Sequence, residues 1–282
     1  MICTGVLACT LAIVFAMTGS SGQTAQRQTA QRQLARPVWH DIPARNLTIR
    51  DASVSEPLAA CEGRLERTSH TIPTLAIVGA SYTAGVGPDN PSLSWAVVLA
   101  RLLHWNAVVY GVSGAGYVQP GVGGLGPVSR LLDREGLDDL SPSVVIVQAG
   151  HDDVGAPTGL EGRQVRQAVN LIRKQAPAAR IGLLTVFTGP SMTGTPALYR
   201  TDRAIVTAAR AAYSRTIIMD PLADRWRFQH ARGGLHPTAA GDRWIADKVA
   251  AVLRADGIRP LPPTRSAPVV CDAAVGVPDR PA

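Results

Sequence analysis

Ser81 and His236 are the two residues whose types and surroundings could support nucleophilic catalysis. Ser81 follows the apolar run of residues 75–78, and only the small residues Gly79 and Ala80 lie between them. A serine hydroxyl becomes a nucleophile when a nearby base takes its proton, and the neutral imidazole of His236 can be that base. This pair predicts acyl-transfer chemistry. The alternative for Ser81 is that it merely caps a helix.

Acyl transfer also needs donors for the negative oxygen that forms on the attacked carbonyl. The backbone N–H groups of Ser81 and Gly114 could supply them. A glycine at position 114 would let the backbone approach a ligand closely. Two further polar blocks follow apolar runs, at residues 150–153 and 233–237.

An alternation of strands and helices would position these groups. Buried apolar runs predict five strands, at residues 75–78, 107–110, 144–147, 181–187 and 216–219. Helical spacing predicts helices at 92–104, 128–137 and 197–212. A fourth helix would begin with a capping box of Thr158 and Glu161. A fifth would have Pro237 in its first turn. We therefore expect an α/β fold, a three-layer α/β/α sandwich with a five-stranded parallel, flavodoxin-like sheet. The candidate residues then meet at the carboxyl edge of the sheet.

The polar blocks, taken in order, resemble those of the SGNH (GDSL-type) hydrolase family over roughly residues 72–256. The blocks of this chain are Gly79-Ala80-Ser81, Gly114, Gly150-His151-Asp152-Asp153 and Gly233-Gly234-Leu235-His236-Pro237. The resemblance implies a Ser81 nucleophile, a His236 base and an oxyanion hole formed by Ser81, Gly114 and Asp152. It also implies esterase, lipase or acetyl-hydrolase activity without a cofactor.

Three positions depart from the family pattern. Ala80 replaces the aspartate beside the serine, and Gly233 replaces the aspartate that usually orients the histidine. A backbone carbonyl near Gly233 could hold His236 instead, and the carboxylates at Asp152, Asp220 and Asp224 are further candidates.

Asp152 is the third departure, because the family has an asparagine there. An ionised carboxylate has no proton to donate and would repel the oxyanion. If burial raises the pKa of Asp152, its protonated form could donate, and activity would then fall on the alkaline side. If Asp152 orients His236 instead, its amide variant should lose turnover across the whole pH range.

Composition and charge restrict the class of protein. The chain has 282 residues, 46% of them hydrophobic, and a net charge of +7, which suits a globular domain with a basic surface. The arginines are scattered, with no dense basic run and no aromatic stacking pattern, so we expect no nucleic-acid partner. No spacing of histidines and acids fits a known set of metal ligands, so we expect no metal.

The segments outside the core indicate export. Residues 1–22 hold an apolar stretch too short for a comfortable membrane span, which predicts a signal peptide or an anchor. Residues 23–70 read as a linker and irregular lead-in, 71–257 as the hydrolase domain, and 258–282 as a Pro-rich tail that is mostly coil. We expect a secreted or cell-envelope protein that contacts a membrane only through residues 1–22, if these are not cleaved.

Cys61 and Cys271 flank the expected domain. Two cysteines in an exported chain predict a disulfide that would tie the two tails together. The alternative is a pair of buried thiols.

Taken together, the sequence predicts an exported serine esterase without a cofactor. Its substrate would be a small acyl ester, a lipid or an acylated glycan. Two rival hypotheses remain: a non-catalytic relative that binds glycan or lipid in the same cleft, and an acyltransferase in which a sugar hydroxyl replaces water.

Overall fold

The computed structural model describes residues 58–69, 71–88, 90–190, 195–263 and 267–275. Its strands are β1 (Thr74–Gly79), β2 (Asn106–Val112), β3 (Val144–Gln148), β4 (Arg180–Leu184), β5 (Ile217–Met219) and β6 (Val270–Val275). Its helices are α1 (Leu58–Ser69), α2 (Trp95–Leu103), α3 (Val128–Glu135), α4 (Leu137–Leu140), α5 (Thr158–Gln175), α6 (Pro196–Ala212) and α7 (Ala239–Ala255). No helix within the described ranges is long and apolar enough to cross a membrane.

The six strands form one parallel sheet in the order β5-β4-β3-β1-β2-β6. Residues of β1 and β3 are buried throughout because helices cover both faces of the sheet. On one face α3, α4, α5 and α6 pack over side chains such as Val147 and Leu183. On the other face α2 and α7 pack over Leu75, Ile77 and Ile146. The three-layer α/β/α architecture is therefore confirmed.

The sheet has six strands where the sequence predicted five. The additional strand, β6, lies within the segment expected to be coil and pairs with β2 from Ala107↔Val270 to Val112↔Val275. Its apolar residues are interrupted by Asp272 and preceded by prolines, so no periodic signal marks it. Pairing with a distant strand determines its structure.

Helix α1 likewise lies in a segment that has no clear apolar period. Its Cys61 and Leu65 pack with Val108 and Cys271 at the β2–β6 edge of the sheet. The structure joins Cys61 and Cys271 in a disulfide, with 5.7 Å between their Cα atoms. The expectations for residues 1–57 lie outside the described residues.

The residues predicted to cap or open two helices were wrong. Pro157 occupies the N-cap of α5, and Thr158 and Glu161 form no capping box. The Glu161 side chain is instead fully buried, and neither carboxylate oxygen has a described hydrogen-bond partner. Helix α7 begins at Ala239 after an N-cap at Thr238, whose hydroxyl accepts from the Gly241 N–H at 3.2 Å, so Pro237 precedes the helix.

Candidate active site

The structure brings Ser81 and His236 together although 155 residues separate them in the chain. Ser81 follows β1 at the carboxyl edge of the sheet, and His236 lies in the loop before α7. The distance from His236 Nε2 to Ser81 Oγ is 2.9 Å, a good hydrogen bond between a hydroxyl donor and an imidazole acceptor. Only 7% of Ser81 is exposed.

Gln148, the last residue of β3, holds the turn that carries Ser81. Its side-chain carbonyl accepts from the Ala80 N–H at 3.2 Å, from the Thr83 N–H at 3.3 Å and from the Thr83 hydroxyl at 2.9 Å. A Cβ on Gly79 would lie 2.8 Å from both the backbone carbonyl oxygen of Gln148 and Thr83 Cβ, so only glycine fits there. The turn that carries Ser81 is thus fixed by hydrogen bonds that its neutral groups donate to the neighbouring strand.

Tyr82 links the turn that carries Ser81 to the loop that carries His236. Its hydroxyl donates to the Leu235 carbonyl oxygen at 2.6 Å, one residue before His236. Its ring stacks on Phe187, with centroids 4.4 Å apart, and lies 5.4 Å from the His236 ring. Burial raises the pKa of Tyr82 far above its usual range, so the hydroxyl remains a donor.

The electrostatic setting keeps His236 neutral. Burial, and then the nearby His151, lower the pKa of His236 to about 4. An imidazole with this pKa can accept the serine proton throughout the neutral range.

None of the three carboxylates considered for orienting His236 has a described hydrogen bond to its ring. Asp220 accepts from the Ala223 N–H at 2.8 Å, and Asp224 is exposed. Across the described ranges, no carboxylate oxygen, that of Asp152 included, is hydrogen-bonded to the His236 ring. The aspartate that the family pattern places at Gly233 therefore has no described replacement.

Asp152 lies in the loop that follows β3. Burial, and then the neighbouring Asp153, raise its pKa to about 7, while its own backbone N–H acts in the opposite direction. His151 in the same loop bonds the Phe187 carbonyl through Nδ1 at 3.4 Å. Because a carbonyl only accepts, Nδ1 carries the proton there.

Asp153 holds the glycine-rich loop after β2. Its buried carboxylate accepts from the backbone N–H groups of Tyr117 at 2.6 Å, Val118 at 3.0 Å and Gln119 at 3.0 Å. This loop contains Gly114, whose φ of +76° suits glycine. Within the described residues, the N–H groups of Ser81 and Gly114 donate to no backbone or side-chain acceptor.

Two more acids, Glu161 and Asp202, lie near Asp153. Burial, followed by the nearby Asp153 and Asp202, raises the pKa of Glu161 to about 9. Burial also raises the pKa of Asp202, to about 6. The part of the chain that the structure describes contains no group of side chains suited to hold a metal ion.

Sequence reasoning singled out Ser81 and His236, which the structure brings together, but it missed Gln148 and Tyr82. The roles of Gln148 and Tyr82 depend on contacts across 65 to 153 residues. One signal was available for Gln148: it is a polar residue at the end of an otherwise apolar run.

The sequence matches the model of one known family and one characterised protein. The model of the GDSL-like Lipase/Acylhydrolase family matches residues 77–244. A GDSL lipase of Mycobacterium tuberculosis is 27% identical over 191 residues, covering 64% of this chain and 80% of that protein.

Solved structures resemble the fold at low sequence identity. A family two carbohydrate esterase from Clostridium thermocellum, in complex with cellohexaose, superposes with a TM-score of 0.52 and 16% identity, covering 65% of this chain and 64% of that one. A salicylyl-acyltransferase from a tetracycline biosynthetic pathway gives a TM-score of 0.54 and 19% identity, with coverages of 68% and 57%. This chain thus spans less than two thirds of the length of either neighbour.

Proposed function

Because the chain belongs to the GDSL-like lipase/acylhydrolase family, we propose that it is an exported esterase in which Ser81 attacks a carboxylic ester and His236 is the base. The observation that carries the proposal is the 2.9 Å contact between Ser81 Oγ and His236 Nε2. The low pKa of His236, about 4, supports it because the base is then unprotonated at neutral pH.

The reaction proceeds in two halves. Ser81 Oγ attacks the ester carbonyl as His236 Nε2 takes the hydroxyl proton, giving a tetrahedral oxyanion. His236 returns that proton to the alcohol oxygen, the carbon–oxygen bond of the ester breaks, and an acyl-Ser81 remains. Water, deprotonated by His236, then attacks the acyl group and releases the acid and free Ser81.

Three groups would bind the oxyanion. The N–H groups of Ser81 and Gly114 have no other described acceptor, so they can donate to a ligand. Asp152 is the third donor, in its protonated form, which its pKa of about 7 makes available below that pH. Above it, the carboxylate would repel the developing charge.

The substrate is proposed to be a small acyl ester, a lipid or an acylated glycan outside the cytoplasm. The apolar stretch in residues 1–22 supports export, and the secreted or cell-envelope location follows from it. No cofactor takes part in the proposed steps.

An acyltransferase is the second candidate. The same acyl-Ser81 could be intercepted by a sugar or other hydroxyl in place of water, and one structural neighbour is named as an acyltransferase. Adding alcohol acceptors to the assay and measuring the ester product against the free acid distinguishes the two reactions.

The proposed function is tested with a panel of soluble esters and a fluorophosphonate probe. We expect turnover and covalent labelling in the parent chain, and a loss of turnover of about 10³-fold or more in Ser81→Ala, with unchanged thermal unfolding. An unlabelled parent chain without turnover would point to the non-catalytic glycan or lipid binder. Turnover that survives in Ser81→Ala would refute the nucleophile.

A further inference from the structure

Six arginines and one lysine lie on two neighbouring helices at one face of the fold. Helices α5 and α6 lie side by side, since a Cβ on Gly162 would lie 3.6 Å from the Ala208 side chain. Their buried residues face the sheet, so the remaining positions point away from it. Seven exposed cations form what we call the basic face: Arg163, Arg166, Arg173, Lys174, Arg200, Arg203 and Arg210.

No exposed acid offsets these charges on the two helices. Their only acidic residues, Glu161 and Asp202, are buried. Over the described ranges, no carboxylate forms an ion pair with the basic face, although the Arg173 guanidinium lies over the Tyr213 ring at 4.9 Å. The face therefore presents uncompensated positive charge to solvent.

The charge is specific to this pair of helices. The opposite layer, α2 and α7, exposes four cations, and one of them, Arg243, is paired with Asp247 at 3.3 Å. Beside α5, helices α3 and α4 expose charges of both signs: Asp133, Asp138 and Asp139 together with Arg130 and Arg134. The excess of positive charge is therefore largest on α5 and α6.

An exposed aromatic residue lies on the same outward side of α6. Tyr199 is 51% exposed, and it is the one large hydrophobic side chain in the described residues that is exposed. It precedes Arg200 and shares the outward side of the helix with Arg203. Tyrosine partitions to the headgroup level of a lipid bilayer, where its ring is apolar and its hydroxyl stays hydrated.

The shape of the face favours a surface over a polymer strand. Helices of 18 and 17 residues make two adjacent ridges about 25 Å long, with cations near both ends of each helix. A single nucleic-acid strand would need a groove with stacking aromatics. Six of the seven cations are arginines, whose planar fork matches phosphate oxygens.

We propose that the basic face docks on a lipid surface rich in anionic phosphate headgroups. Because α5 and α6 begin at the carboxyl edge of the sheet, one end of the basic face lies at the same edge as Ser81. The proposal does not depend on the proposed function, since it concerns binding and not ester cleavage.

Vesicle co-sedimentation of the full chain tests the proposal. One set of vesicles is phosphatidylcholine alone, and the other is an equal mixture of phosphatidylcholine and phosphatidylglycerol. Binding to the neutral set measures what the amino-terminal apolar segment contributes. We expect stronger binding to the anionic set, and this excess should fall as salt is added.

Two charge-matched variants locate the binding surface. The first is Arg163→Gln, Arg166→Gln, Arg200→Gln and Arg203→Gln together. The control removes four cations from the opposite layer, with Arg101→Gln, Arg243→Gln, Lys248→Gln and Arg254→Gln. The first variant should lose at least about tenfold in partitioning to anionic vesicles, and the control less than about threefold.

Several outcomes would overturn the proposal. They are equal binding to neutral and anionic vesicles, equal losses in the two variants, and binding of soluble polyphosphate without binding of anionic vesicles. Thermal unfolding confirms that each variant is folded. Hydrolysis of a soluble ester should stay within about twofold of the parent in both variants, so a failed docking test leaves the proposed function standing.

Discussion

The catalytic pair and the acids behind it lie at the same edge of the sheet, yet the two regions use hydrogen bonds and charge differently. In the described residues around His236, no carboxylate is hydrogen-bonded to the ring, and neutral groups set the geometry. The three acids Asp153, Glu161 and Asp202 are buried, and none has a described lysine or arginine partner. Burial raises the pKa of all three.

This difference teaches where the carboxylates act in this protein. Asp153 holds a loop, and burial raises the pKa of all three acids, while Tyr82 and Gln148 position the loop that carries His236 and the turn that carries Ser81. Substitutions that remove the hydrogen bonds of Tyr82 or Gln148 should then alter turnover. Changes to the acids should alter stability and pH dependence.

The largest expected effect is the loss of the base. His236→Gln should lower kcat/KM on a soluble ester by about 10²–10⁴-fold, because nothing then accepts the Ser81 proton. Asp220→Asn and Asp224→Asn serve as controls and should change kcat/KM less than threefold, because neither carboxylate has a described hydrogen bond to the His236 ring. A loss in either control close to that of His236→Gln would show that a carboxylate does orient the base.

The next effect concerns the loop that Asp153 holds. Asp153→Ala leaves three backbone N–H groups without their acceptor, so the free energy of unfolding should fall by about 3 kcal/mol. Asp153→Asn keeps one acceptor oxygen and should lose less. Denaturant titration measures both, and an unchanged midpoint in Asp153→Ala would contradict the structural role.

Asp152 should be visible in the pH–rate profile. Turnover of the parent should rise through about pH 4 as His236 loses its proton, and fall through about pH 7 as Asp152 loses its own. Asp152→Asn donates at every pH, so the alkaline fall should vanish and turnover near pH 8 should exceed the parent by about tenfold. A uniform loss with the alkaline limb unchanged would instead assign Asp152 to orienting His236.

Tyr82 should act as a positioning residue. Tyr82→Phe keeps the ring on Phe187 but removes the bond to the Leu235 carbonyl, so kcat should fall by about tenfold while KM stays within about twofold. Tyr110→Phe in β2 is the control for loss of a tyrosine hydroxyl. A rise in KM with kcat unchanged would mean that Tyr82 contacts substrate.

The smallest effect is on stability in alkaline solution. The folded state raises the pKa of Glu161 from 4.5 to about 9, so its stabilising contribution is present below about pH 4.5 and is lost as pH rises through about 9. Glu161→Gln has no proton to lose. Its Tm should exceed that of the parent near pH 8, by about 2–4 °C for each kcal/mol gained, and the gap should shrink near pH 5.

Much of this architecture can be predicted from short-range patterns. The apolar runs identify β1 to β5, and the order of the polar blocks identifies Ser81 and His236 at one edge. Strand β6 could not be found, because its partner β2 lies 163 residues earlier and Asp272 interrupts its apolar residues. The basic face escaped detection for a related reason: its residues look scattered until the fold sets α5 beside α6.

The capping box at Thr158 and Glu161 shows the opposite kind of failure. The sequence contains the residues of a capping box, yet Pro157 occupies the N-cap and the Glu161 side chain is buried in the core. Local propensity was overridden by packing against α6 and the Asp153 loop.

The position of β6 has a consequence for biosynthesis. This strand is the last described element of the chain, yet it covers the β2 edge of the sheet, and its Cys271 pairs with Cys61 across 210 residues. A chain that emerges amino terminus first must therefore keep the β2 edge uncovered until β6 has been synthesised. During that interval the open edge can pair with another nascent chain. The arrival of β6 removes that route to aggregation.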